Sequence, residues 1–358
     1  MEICSQDVEL ETTFRNWLGP KNESTYDLCK RLYNGLTDRV CRPPRKVFLS
    51  EEYDKTGWSA THFNLRTSLN LNLACIYYEK KIEGGGEDTD DECCFKDCEG
   101  EALEAAGEEE GEEGEKGKEK EFAADELIVI YMHTNTSCMI EAKEVLPVCN
   151  ALNASLVCYD LRGHGKSEGG GLANLQNNLR DLEQVVAWAR SKSSKMILWA
   201  RGAATCVATR YQALLCGRSA SNPRIENPIK YLVLDSPFIS VKRMYDDCIE
   251  TVRRKKYGDV PSSIFSLVAR FFRKGLKKKL DGMDPFDVSQ LEDMPELTIP
   301  AFFLIAVEDD YIPPQHGMEL ASQYGGPIFA RMFQGRHFTP REEEVVMGTV
   351  PQIMSSVE

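Results

Sequence analysis

The chain has no long hydrophobic run. Its longest apolar stretches, such as LIVIYM at 127–132, are strand-sized and far short of the ~20 residues that span a bilayer. It also lacks a basic segment followed by an apolar one at its start: MEICSQDVELE is acidic, which speaks against a secretory signal. Disulfides are not expected either. The 13 cysteines are odd in number and scattered through core-like segments, as at Cys75, Cys158 and Cys206, so they read as reduced thiols of a cytoplasmic protein. The glycines at 163–171 follow neither Rossmann nor P-loop spacing, so no nucleotide cofactor is expected. No basic stripe with interleaved aromatics lies outside 238–298, which excludes a nucleic-acid partner. Cys93, Cys94 and Cys98 lack a further Cys or His pair to complete a four-ligand site, so no metal is expected. No internal repeat is visible.

What is present is a globular composition, 42% hydrophobic with 15 Phe, and a lopsided distribution of charge. Of 57 acidic and 43 basic residues, 18 and 4 fall within 83–121, which leaves 39 of each elsewhere. The net charge of −14 therefore belongs to one segment, and the remainder is neutral. That segment is rich in like charge and poor in apolar residues, so it is expected to be a disordered insertion.

Before the insertion, SLNLNLACIYYE places Leu69, Leu71, Leu73, Cys75 and Tyr77 on one face of a strand. After it, strands are predicted at 127–133, 155–160, 195–200, 230–235, 300–306 and 327–333, with a helix over 172–190. Strands alternating with helices imply a mostly parallel sheet covered on both faces. Residues 238–298 are too many for one crossover helix and predict a lid. The organisation expected is a helical extension at 1–45 (its helix at Tyr26–Arg39), first strands at 46–82, the insertion at 83–121, and a core at 122–237. The basic lid at 238–298 and the rest of the core at 299–358 complete it.

Four loops carry a family resemblance. YMHTNTS at 131–137 resembles the His-Gly oxyanion loop of α/β-hydrolases, and YDLRGHGKSE at 159–168 resembles their D-x-R-G-x-G-x-S turn. LIAVEDDYIPP at 304–314 is similar to the acid loop, and GRHFTPRE at 335–342 to the histidine loop. Each follows a predicted strand, in the family's order. RPPR at 42–45, LDSPF at 234–238 and the lysine-rich lid resemble the serine-peptidase-like branch: prolyl oligopeptidases, serine aminopeptidases and BEM46-like proteins. The resemblance implies an α/β-hydrolase fold, with Asp309 as the acid (Asp310 a lesser candidate) and His337 as the base. It also implies an oxyanion hole from the backbone of Ala203 and of Asn135 or Thr134.

In that family a G-x-S-x-G turn holds the nucleophile. The aligned residues here are Ala200, Arg201, Gly202, Ala203 and Ala204, and no serine occurs between Lys195 and Gly217. Thr205 and Cys206 fall beyond the turn's apex, in the predicted helix. A second departure is Thr134, where the family carries glycine. Removing the serine of such a triad lowers turnover by about 10⁶, so the chain reads as a pseudo-hydrolase that binds or scaffolds. Two alternatives stay open. Asp309 and His337 could activate water for weak hydrolysis of ester, thioester or peptide bonds, with rates of roughly 10³–10⁴ over water. Alternatively the lid is the working surface. Lys242–Lys279 holds 12 Lys/Arg against 4 Asp/Glu, with a stripe of Ile264, Leu267, Val268, Phe271, Phe272 and Leu276. Such a helix could lie on an anionic membrane; the plainer expectation is that its apolar side packs on the body. A small apolar or acyl ligand beneath the lid is the partner the pseudo-hydrolase reading implies. His133, His164, Asp160 and Arg162 are expected to anchor loops.

Overall fold

The computed structural model describes residues 57–80, 96–98, 127–169, 175–222, 224–256, 287–309 and 311–357, together with nine single helical positions in segments 27–30 and 263–275. Nine strands form one sheet: β1 (Trp58–Arg66), β2 (Asn72–Lys80), β3 (Lys96–Cys98), β4 (Leu127–Met132), β5 (Ala154–Tyr159), β6 (Met196–Arg201), β7 (Ile229–Asp235), β8 (Ala301–Ala306) and β9 (Ile328–Phe333). Their spatial order is β3-β1-β2-β5-β4-β6-β7-β8-β9. The β1–β2 and β2–β5 pairs are antiparallel; the other pairs are parallel.

The predicted strands after the insertion match β4 to β9 within one residue at each end. Strands β4, β5, β6 and β8 are buried along their whole length, as expected of parallel strands covered on both faces. One face packs on α2 (Leu175–Arg190), α3 (Ala204–Ser221) and α5 (Pro314–Gln323) through Leu182, Val185, Ala208 and Leu320. The other packs on α1 (Leu146–Leu152), α6 (Glu343–Met347) and α7 (Val350–Val357) through Val148, Val346 and Ile353. A further helix, α4 (Val241–Lys256), opens the long interval after β7.

Three sequence expectations are corrected. In β2, Leu73, Cys75 and Tyr77 do share one face. However, Leu69 precedes the strand and is exposed, and the intervening Ala74, Ile76 and Tyr78 are buried too, because β2 is an interior strand between β1 and β5 with a core on each face. Within the insertion, Lys96–Cys98 pairs with β1 as an edge strand; main-chain pairing at an open edge tolerates a polar sequence. The apolar side of the lid was expected to pack on the body, yet Leu267 and Phe271 are 48% and 61% exposed. The remainder of the insertion, most of the N-terminal extension and most of 257–286 lie outside the described residues. Among the described residues no helix is long and apolar enough to cross a membrane.

Candidate active site

The loops at the carboxyl ends of β4, β6, β8 and β9 meet at one point. Strand β6 ends at Arg201, and α3 begins at Ala204, so Gly202 and Ala203 make the whole turn. Gly202 has φ +57, the left-handed region that glycine enters without a Cβ penalty. Its N–H donates to Asp235 O at 2.8 Å, and its carbonyl accepts from the Thr205 hydroxyl at 2.6 Å. Both sides of the apex are thereby fixed. A Cβ at Gly202 would lie 3.2 Å from His337 Nε2 and 2.7 Å from Thr134 Oγ1.

Asp309 and His337 stand together. His337 Nδ1 and Asp309 Oδ2 are 2.7 Å apart in a buried pair. The second carboxylate oxygen of Asp309 accepts from the N–H groups of Tyr311 and Ile312 at 2.8 and 2.7 Å. Because Asp309 accepts the hydrogen bond of Nδ1–H, Nε2 is the ring nitrogen that faces the apex. Tyr311 stacks on the imidazole at 6.0 Å and Phe338 meets it edge-on at 4.7 Å. Asp310 lies outside the described residues.

The three oxyanion candidates are placed unequally. Ala203 follows the apex at the start of α3. The N–H of Thr134 is directed to Glu141 Oε1 at 3.3 Å, away from the apex, while its hydroxyl crowds it. Asn135 uses its carbonyl to accept from His164 Nε2 at 2.8 Å. His133 accepts the Leu161 N–H at Nε2 (2.9 Å) and donates Nδ1–H to Thr134 O (2.7 Å). Burial and the nearby His164 lower its pKa, so it anchors the loop as a neutral ring. Asp160 accepts from Met139 N and Lys166 N, and Arg162 pairs with buried Asp181. These four side chains hold loops and do not reach the apex.

Directly beneath the turn lies a charged cluster that the sequence did not reveal. Arg201, 1% exposed, donates to His337 O at 3.1 Å and Thr339 O at 2.7 Å. It also pairs with Glu144 at 3.0 Å, Glu141 at 3.5 Å and Asp235 at 3.6 Å. Arg341 clamps both oxygens of Asp235 at 2.8 Å. Burial pushes the Asp235 carboxyl up, but Arg341 and Arg201 outweigh it and hold it below the usual range. Burial acts on Glu141 too, and there the charge of Arg201 prevails and keeps it low. For Glu144 burial prevails over Arg201, Glu141 adds like-charge repulsion, and the carboxyl is pushed up to about 7. Two guanidinium groups thus face two firmly ionised carboxylates and a third that titrates near neutrality. The members come from segments some two hundred residues apart, so only a fixed alignment of loops would have exposed them.

Beside Ala203, buried Cys206, Phe238 and Ile312 pack with Tyr311, Val241 and Met244. The apex is therefore flanked by apolar side chains of the acid loop and of α4. Gln290 ties this wall to the turn through Thr205 Oγ1 at 3.0 Å and Phe238 O at 2.7 Å. Among the described residues no cluster of His, Cys, Asp or Glu is arranged to hold a metal ion.

No protein-family model matches the chain, and no curated protein matches it by sequence. Solved structures do. An esterase from Pyrococcus furiosus superposes with a TM-score of 0.54 at 18% identity, covering 89% of this chain and 97% of that one. The structure of DcsB with its substrate analogue gives 0.51 at 15% identity, over 84% and 100%. An acetyl xylan esterase from Paenibacillus sp. R4 gives 0.51 at 12% identity, over 92% and 95%. The strand order, the sharp turn after β6 and these likenesses converge: the chain has the α/β-hydrolase fold.

Proposed function

We propose that the chain is a pseudo-hydrolase of the serine-peptidase-like branch, a binding or scaffolding module for a small apolar or acyl ligand. One observation carries the reading: the apex residue facing His337 Nε2 is Gly202, at φ +57 and 3.2 Å from the imidazole at its Cβ position. The base and its orienting carboxylate are in register, and the atom they would deprotonate is missing. Without a side-chain oxygen no acyl-enzyme forms. The substitution is easy for the fold, since glycine releases the strain of a left-handed residue, about 1–2 kcal/mol. The apolar wall of Phe238, Ile312 and Met244 supports an apolar ligand. The test is a fluorophosphonate probe on the purified chain: no labelling is expected, and labelling that disappears in His337→Ala ends the proposal.

The intact His337–Asp309 pair favours a second reading, in which the dyad activates water directly. Slow turnover of short acyl esters that disappears in His337→Ala, with the fold retained, would establish it. A third reading concerns the lid. Leu267 and Phe271, exposed one helical turn apart beside exposed Arg270 and Lys274, suit an anionic membrane surface. Leu267→Asp/Phe271→Asp should then abolish sedimentation with phosphatidylserine vesicles. Equal sedimentation of variant and wild type removes that reading.

A further inference from the structure

The end of the sheet at β9 is built differently from its other parallel strands. Five of its six residues, Ile328 to Met332, are not buried, and Ile328, Phe329 and Met332 are 40%, 41% and 51% exposed. Among the described residues no strand lies beyond it. Protected edges are short, bulged, or studded with lysine or proline. Strand β9 has none of these over its six residues: its register with β8 runs unbroken from Ala301↔Ile328 to Ala306↔Phe333. Its one charge, Arg331, is turned aside to the Glu344 carbonyl and carboxylate at 2.9 and 3.2 Å.

The main chain shows which groups are free to pair. Ala301 N donates to Pro327 O at 2.9 Å, and Val307 N to Phe333 O at 3.0 Å. A strand's residues alternate in direction, so odd-numbered residues bond inward to β8 and the N–H and C=O of Ile328, Ala330 and Met332 point outward. Three consecutive outward positions have Ala330 at their centre. An antiparallel copy with its two-fold axis at Ala330 pairs Ala330 with itself and Ile328 with Met332 of the other chain. Every outward donor then meets an outward acceptor. On the sheet face where Phe329 stacks near Phe302, the same operation sets Arg331, whose guanidinium stays with Glu344, opposite the other chain's Phe329 and clear of the other Arg331. Centring on Arg331 instead keeps the same outward groups bonded but sets the two Arg331 residues opposite each other. The small residue on the axis and the separation of the two charges favour this register.

We propose that β9 is a homodimer interface, where a second copy of this chain continues the sheet antiparallel through Ile328, Ala330 and Met332. The strand ends only four residues before His337, so pairing also braces the root of the histidine loop. This inference is independent of whether the chain hydrolyses anything.

The test is light scattering of the full chain at ~10 µM, where even a dimer of micromolar affinity is largely formed. The expected mass is twice 40.4 kDa, and a monomer overturns the proposal. Ala330→Pro removes an outward N–H and no bond to β8, a substitution that edge strands tolerate. It should halve the mass while leaving the circular dichroism unchanged; a folded variant that stays dimeric also overturns the proposal. Should Ala330→Pro fail to fold, oxidative cross-linking decides. Residues facing each other in a bonded antiparallel pair are about 5.5 Å apart at Cα, within disulfide reach. Ala330→Cys should therefore give a reducible covalent dimer, and Phe329→Cys, off the axis and opposite the other chain's Arg331, should not. Absence of the Ala330→Cys dimer, or equal cross-linking by both, rejects the register and the interface with it.

Discussion

On the pseudo-hydrolase proposal, placing a hydroxyl at Gly202 is the most direct perturbation of this site, and the structure predicts that one substitution is not enough. In Gly202→Ser the new Cβ lies 2.7 Å from Thr134 Oγ1, closer than real contacts allow. The residue also keeps φ +57, which costs a side-chain-bearing residue about 1–2 kcal/mol. Forcing the contact adds about 1–3 kcal/mol. The single variant should therefore unfold at lower urea, by about 2–5 kcal/mol in all, and react slowly because its hydroxyl is displaced from His337. Removing the clashing atom with Thr134→Ala relieves the contact while leaving Asp309 and His337 untouched. Relief of about 1–3 kcal/mol in the reacting geometry is worth roughly five- to 150-fold in rate. Fluorophosphonate labelling should thus be at least about fivefold faster for Gly202→Ser/Thr134→Ala than for Gly202→Ser. Equal rates would refute the assignment of Thr134 as the obstacle. A folded but inert double variant would show that the oxyanion donors are gone too, as the direction of the Thr134 N–H toward Glu141 at 3.3 Å already suggests for one of them.

Three further predictions concern the charged cluster and the second turn. Arg201→Met leaves Glu141 and Asp235 short of a partner and frees the carbonyls of His337 and Thr339. Breaking a buried pair in this way costs about 3–5 kcal/mol, and a loss below about 1 kcal/mol in urea titration would contradict the network. Glu144, raised from 4.5 to about 7 in the fold, keeps its proton where the unfolded chain has released it. Its contribution to stability is greatest below the unfolded value and is lost as pH rises through about 7. The melting temperature should therefore fall between about pH 5 and pH 8, and Glu144→Gln should flatten that fall; an unchanged profile rejects the shift. Gly165→Ala, at φ +45, would set a Cβ 2.0 Å from Asp160 Oδ2. It should break the bonds of Asp160 to Met139 N and Lys166 N and lower the melting temperature sharply, and a wild-type melt would refute that close approach.

The sheet was legible because burial writes itself into sequence. Strands such as LIVIYM and AFFLIA are covered on both faces, so apolar continuity marks them almost to the residue. The bend at Gly202 was legible from the two small residues that follow it and from its place after a strand. Contacts made through the main chain were not legible. The pairing of Lys96–Cys98 with β1 uses no side-chain preference. The clamp of Arg201 on His337 O and Thr339 O engages carbonyls whose residue types are immaterial. The charged cluster stayed hidden for another reason. Glu141, Glu144 and Arg341 look like surface residues in sequence, and only the crossing of four loops turns them inward. Thr134 was recognised as a departure from the family pattern, but that its hydroxyl rather than its Cβ approaches the apex is a matter of rotamer.

Persistence of the His337–Asp309 pair beside a glycine has a physical explanation that does not invoke turnover. Asp309 Oδ1 accepts two backbone N–H groups, of Tyr311 and buried Ile312, so the carboxylate holds its own loop in shape before it holds His337. The histidine loop is likewise tied down at its backbone by Arg201. Gly202 is different, for it sits at the tip of a turn where glycine carries no strain. On the proposed reading, chemistry can be lost there while the supporting pair is retained by the cost of removing it. Asp309→Ala tests this. Leaving two donors unsatisfied should cost about 2–5 kcal/mol, and the urea midpoint should drop accordingly whether or not any ester is hydrolysed. Asp309→Asn, which keeps an acceptor oxygen for Tyr311 and Ile312, should recover most of that loss. If both variants are as stable as the wild type, the loop does not need its carboxylate, and retention of the dyad would have to be explained by reaction with water.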